Sequence, residues 1–175
     1  MARHEMDAAY RSARYERDRD ERGRPANARP RDRFGRPLPR GARDELAHAE
    51  EPEDVVSSLA EAFDRAVALF DEQRFFEAHE FLEHIWKSDW IDPADKNFWK
   101  GITQVAVGCC HVQRGNDAGA VTMIERAVGY LAPYPGEHLG VDVAALSARA
   151  TELAEVVRAR GASADLDFPR FPRAA

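Results

Sequence analysis

Residues Phe75 to Trp86 read FFEAHEFLEHIW, and His79, Glu80 and Glu83 are the groups in that run best suited to chemistry. An imidazole and a carboxylate at i and i+4 stand one above the other on a helix, so His79 and Glu83 can both reach one point in space. A divalent metal would suit such a pair, with His111 completing a two-histidine, one-carboxylate set. Glu80 beside them is then the candidate general base. The run is similar to a metalloprotease zinc helix, but a glutamate stands where the second histidine belongs, which breaks that motif.

Burying these groups costs free energy unless they are paired, protonated or metal-bound. On a wheel turning about 100° per residue with His79 at the origin, Phe75, Phe76, Leu82, Trp86 and Trp90 fall within about 60° of it, and Glu83 within about 40°. Ala78 and Ile85 extend this apolar arc, whereas Glu77, Glu80, His84, Lys87 and Ser88 lie opposite or on its border. His79 and Glu83 are therefore expected inside the apolar face. Glu83→Ala is expected to cost about 1–3 kcal/mol and Glu77→Ala to stay within about 0.5 kcal/mol.

The next helix has an aligned polar stripe of Asn97, Lys100, Gln104 and His111, flanked by Gly101 and Gly108. Glycine within a helix costs about 1 kcal/mol relative to alanine, so two of them point to close approach of another backbone or a ligand. Setting the two stripes face to face brings His79 and Glu83 within direct or one-water reach of Gln104 and His111, with Trp86 as a wall. Three readings remain open. The cluster is a structural network fixing helix pairing, or part of a binding module for a peptide or small ligand, lined by Trp86, Trp90 and Trp99. The third is a hydrolase-like, metal-dependent enzyme using His79, Glu83 and His111. The sequence does not decide whether the chain is an enzyme.

The elements that must hold these residues are helical. Leu59, Phe63, Ala66, Val67 and Phe70 recur at helical spacing and predict a first helix over about 53–72. The second is predicted over about 75–88. Asp92 and Pro93 start a third that runs to about 114. Gly115 ends it, and Asn116 or Asp117 caps a fourth over about 118–131. Asp142 caps a fifth that ends near Gly161. No segment alternates convincingly as a strand, and the short connections favour an all-α, antiparallel bundle of about five helices whose hairpins resemble tetratricopeptide pairs.

Three stretches follow: residues 1–50, an Arg/Pro-rich arm expected to be extended or disordered; residues 51–161, the bundle; and residues 162–175, an extended tail. The first 45 residues hold 13 Lys or Arg against 9 Asp or Glu, so +4, and the remainder 12 against 22, so −10. An acidic body argues against nucleic acid on the bundle, while a peptide or protein partner stays open. Cys109 and Cys110 adjoin on one helix, where a disulfide is strained, so two reduced thiols are expected. With no apolar N-terminal run and no membrane-length segment, the expected setting is the cytoplasm.

The strings EAHEFLEHIW and FWKGITQVAVGCCHVQRGNDAGA resemble the small helical family known as domain of unknown function 309, over about Val55 to Pro135. The resemblance carries a His-Glu-x-x-Glu-x-x-Trp run onto His79, Glu80, Glu83 and Trp86. It carries a Gly-x-x-Gln run with a later His and Gly-Asn onto Gly101, Gln104, His111, Gly115 and Asn116. It implies an all-helical fold and a candidate site at His79, Glu80, Glu83, Trp86, Gln104 and His111, and no assigned activity.

Overall fold

The computed structural model describes residues 29–173, which fall into two units divided between His48 and Ala49. The expectation of an extended or disordered arm lies mostly on residues 1–28, outside the described residues. Residues 29–48 fold on themselves. Asp32 Oδ1 accepts the N–H groups of Phe34 at 2.9 Å and Arg36 at 2.8 Å. The Leu38 N–H donates to Pro30 at 2.8 Å, closing a small hairpin that turns at Gly35, where φ is 75°. Asp44 and Glu45 accept the N–H groups of Arg31 and Arg33. Prolines remove donors from this stretch, but short carboxylates collect the donors that remain, so the segment has local order that proline content alone does not suggest.

The second unit is helical. A short helix α1, Pro52–Val55, gives way at Val56 to extended backbone, and α2 begins at Leu59 and runs to Asp71. The predicted first helix is therefore broken. Ser58 caps α2 by accepting the Glu61 N–H, and Glu61 in turn accepts the N–H of Ser57 at 2.8 Å. This reciprocal arrangement fixes a helix start in mid-pattern. Helix α3 spans Phe75–Lys87. A 3₁₀ turn, Pro93–Asp95, leads into α4, Lys96–Gln113, with Asp92 accepting the Ala94 N–H as expected. Helix α5, Asp117–Leu131, is capped by Asn116, and α6, Val143–Arg160, by Asp142. The two-residue strands β1, Glu137–His138, and β2, Val141–Asp142, pair antiparallel between them. Among the described residues no helix is long and apolar enough to cross a membrane.

Successive helices from α2 to α6 pack on one another, and α4 lies between α3 and α5. Its glycines serve α5. A methyl group at Gly101 would sit 2.7 Å from the Leu131 side chain, and one at Gly108 would sit 2.7 Å from Ile124. The close approach read from the two glycines is thus that of large α5 side chains, not of a ligand. Behind α6 the chain returns. Phe168 and Phe171 insert into an aromatic cluster with Phe63, Phe70 and Phe75, so the extended tail is part of the core.

The polar groups buried here differ from those expected. They are Glu77, Thr103 and Gln113. Thr103 donates to the Trp99 carbonyl, and Gln113 Nε2 donates to the carbonyl of Gln73, a turn residue with φ of 59°. Glu77 takes both Nε and Nη2 of Arg74, at 2.8 and 2.5 Å. The wheel placed Glu77 outside because it left out Phe81, which is fully buried and lies about 160° from His79. The buried face of α3 runs through Ala78, Phe81, Leu82 and Ile85, with His79 and Glu83 on its edge. The stability expectation therefore reverses. Glu77→Ala should cost about 1–2 kcal/mol, through two charge-assisted bonds and a favourable first-turn position, with part recovered because Arg74 is exposed enough to rehydrate. Glu83→Ala should stay within about 0.5 kcal/mol, since it breaks two i,i+4 contacts of a carboxylate that is one third exposed, with Lys87 and with His79. Urea melts of the two variants compare them directly, and equal midpoints would contradict this face assignment.

Candidate functional site

Helices α3 and α4 run antiparallel, and aromatic–cation contacts fix their register at both ends. The Arg114 guanidinium lies 5.8 Å from the Phe76 ring centroid, and the Lys100 ammonium lies 5.2 Å from that of Trp86. Between these anchors His79, Glu80 and Glu83 lie half-buried on α3, and Gln104, Val107 and His111 are half-buried positions of α4.

Among the described residues, one group offers a set of converging ligand atoms: His79, Glu80 and Glu83, all within 4.8 Å of one another. His79 Nε2 is 3.3 Å from Glu80 Oε1 and 4.0 Å from Glu83 Oε2. The other ring nitrogen, Nδ1, donates to the Phe76 carbonyl, and the Phe76 ring packs against the imidazole with centroids 4.9 Å apart. A neutral imidazole carries one N–H, and here the Phe76 carbonyl takes it. In that neutral tautomer Nε2 presents a lone pair toward two carboxylate oxygens, and in the protonated ring an N–H. Three acceptors facing one another repel unless a cation, a proton or a metal, lies between them.

The surroundings are negative. Burial, then the nearby Glu53, Glu80 and Asp54, hold the Glu51 carboxyl above its ordinary range. Glu83 uses its other oxygen on Lys87. His79 is 15% exposed and Glu80 and Glu83 about one third, so the cluster sits at the surface of the seam rather than in the core.

The remaining predicted site residues are placed differently. His111 is not brought to this cluster. The Asn116 amide donates to its Nδ1 at 2.9 Å while Asn116 Oδ1 caps α5 through the Gly119 N–H. Burial, then Arg114, push the His111 imidazole below its usual range, so it is neutral at pH 7. It serves the α4–α5 turn. Gln104 is half-buried on α4, and its Oε1 is buried with no hydrogen-bond partner among the described residues. Gln104 Oε1 therefore makes no direct hydrogen bond to His79. Trp86 is half-buried at the far end, beside Lys87, Lys96 and Lys100.

Cys109 and Cys110 are free and buried. Burial pushes the Cys109 thiol well above its usual range and the Cys110 thiol up to about 12, so neither is a nucleophile at neutral pH. Sequence reasoning missed Arg74–Glu77 and Gln113. The first was visible as an i,i+3 acid–base pair at a helix start. The second carried no local signal, because its partner is 40 residues away.

Residues 63–123 match the family model described as Domain of unknown function (DUF309). The DUF309 segment begins within α2, ends within α5, and contains His79, Glu80, Glu83, Trp86, Gln104 and His111. Its description assigns no activity. The chain is also similar to "Uncharacterized protein YpuF" of Bacillus subtilis (strain 168), 37% identical over 68 residues, which is 39% of this chain and 37% of that protein. The chain therefore spans little more than a third of the length of this curated relative. No solved structure matches.

Proposed function

We propose that this protein is a binding module whose site is the His79, Glu80 and Glu83 cluster, and that the site takes a divalent metal ion such as Zn²⁺ or Mn²⁺. One observation carries the reading: Nε2 of His79 faces two carboxylate oxygens while the Phe76 carbonyl holds its Nδ1 proton. A backbone carbonyl that fixes the tautomer and orients the ring is the usual support of a metal-ligating histidine. A Zn²⁺ ion about 2.1 Å from each donor holds its donors roughly 3.4 Å apart. The Glu80 separation already fits, and a small rotation of Glu83 supplies the third ligand. One imidazole and two carboxylates suit a borderline first-row metal better than Ca²⁺ or Mg²⁺. In this reading Glu80 is a ligand rather than a general base and His111 takes no part, which favours a binding module over a hydrolase. We also read the chain as cytoplasmic, a reading supported by its two buried free thiols.

The test is isothermal titration of the metal-stripped, untagged chain with Zn²⁺ and with Mn²⁺. One site should bind, His79→Ala should weaken it at least about tenfold, and Glu83→Gln should weaken it measurably. Absence of binding, or binding that survives His79→Ala unchanged, means that a proton on Nε2 is the cation and overturns the metal reading.

A further inference from the structure

The chain contains 25 Lys or Arg, and only three of them are lysine: Lys87, Lys96 and Lys100. All three bring their ammonium groups to one ring. Nζ of Lys100, Lys87 and Lys96 lie 5.2, 5.8 and 6.0 Å from the Trp86 ring centroid. Lys100 is also 5.9 Å from the Tyr130 ring. Several arginines of the helical unit pair with acids, Arg65 with Glu50, Arg149 with Glu152, Arg158 with Glu125 and Glu155, and Arg173 with Asp64. Lys87 joins Glu83 in the same way. Lys96 and Lys100 make cation–π contacts and, among the described residues, no ion pair.

A cavity of about 550 Å³ opens beside this ring. Trp86, Ile91 and Pro93 give it apolar walls, Lys87 and Lys96 give it ammonium donors, and Asp89 is the one acidic residue on its lining. An exposed cation–π contact is worth only about 0.5–1 kcal/mol, too little by itself to gather like charges around one indole in an otherwise arginine-using chain. An arginine would also lie flat on the indole and cover it, whereas a lysine head is a compact charge that leaves the ring face open.

We propose that this cavity binds a small planar anion. Its aromatic or heteroaromatic ring packs on Trp86, its carboxylate or phosphate meets Lys96 on the lining with Lys100, beyond the lining but 5.2 Å from the same ring, as the second charge, and a ring N–H or amino group donates to Asp89. The shared chemistry is a ring bearing an anionic group, and it has two natural sources, an aromatic acid and a nucleotide. The site adjoins the proposed metal cluster through the Lys87–Glu83 pair but uses none of its ligand residues.

The test is a titration of the ¹⁵N-labelled full chain, stripped of metal, following the Trp86 indole N–H by NMR. Salicylate and adenosine 5′-monophosphate are the ring-bearing anions. Benzyl alcohol supplies a ring without charge, and inorganic phosphate supplies charge without a ring. At least one ring-bearing anion should shift the signal saturably and bind at least about tenfold tighter than either control. The double variant Lys96→Gln, Lys100→Gln should weaken that binding about tenfold while leaving the amide spectrum elsewhere in place. Tighter salicylate points to an aromatic acid and tighter monophosphate to a nucleotide. The proposal is overturned if neither ring-bearing anion saturates at millimolar concentration, if phosphate alone binds as tightly, or if the double variant binds as the parent does.

Discussion

Phe75→Ala is expected to lower the unfolding free energy by about 3–5 kcal/mol, the largest loss for any single substitution considered. Phe75 is the first residue of α3 and is fully buried. Its ring meets Phe70 of α2 edge-on at 4.9 Å and Phe168 of the C-terminal tail at 5.0 Å. The void left by alanine would border three segments held by separate contacts, so no one of them can collapse into it. The cost is then the lost transfer free energy plus most of the cavity term, together with two aromatic contacts. Urea unfolding of the variant should shift the midpoint at an unchanged slope. A loss below about 1 kcal/mol would mean that the tail or the α2–α3 turn closes the gap, and that this cluster is not rigid.

Phe171→Ala should cost less, about 2–4 kcal/mol, for a reason that is itself testable. Phe171 is 6% exposed, and its ring stands edge-on to Phe63 at 5.6 Å and to Phe70 at 5.4 Å. Around it the tail is tied by the backbone. The Phe171 N–H donates to Asp71 Oδ1 at 2.7 Å, the Asp142 N–H donates to the Pro172 carbonyl at 3.0 Å, and Arg173 pairs with Asp64 at 2.5 Å. A segment outside the helices has an escape that Phe75, inside α3, lacks. If the substitution costs more than the tail gains by docking, the tail detaches, and the loss cannot exceed that docking free energy. The variant should therefore show faster tryptic cleavage after Arg170 and Arg173 under native conditions, and dye binding to the uncovered Phe63 and Phe70. An unchanged cleavage rate together with a full 3–5 kcal/mol loss would show that the tail is held independently of this ring.

The wheel error on α3 shows where single-helix reasoning stops. Apolar periodicity gives the existence and length of an amphipathic helix, but its buried centre depends on which neighbours lie on either side. Helix α3 touches both α2 and α4, so its apolar arc is wide, and weighting that arc toward Trp86 and Trp90 rotated its centre toward His79. Trp90 lies beyond the end of α3 and does not belong on its wheel. Phe81 and Ile85 set the true centre, and Glu77 could be drawn inside because Arg74 is one turn away to neutralise it.

By itself the sequence determined whatever depends on neighbours within a few residues. Asp92, Asn116 and Asp142 cap helices where expected, because a short side chain reaching an N–H two or three residues on is a local event. Gly115 and Gly161 end helices at positive φ for the same reason. The i,i+4 placement of His79 and Glu83 followed from helical geometry alone. The tertiary structure decided what depends on residues far apart in the chain. It filled the notches at Gly101 and Gly108 with Leu131 and Ile124, and folded Phe168 and Phe171 back onto Phe70 and Phe75. Those contacts span tens of residues or about a hundred. Local propensity carries no information about them, because the free energy that selects them is the burial of one surface against another that exists only once both have formed.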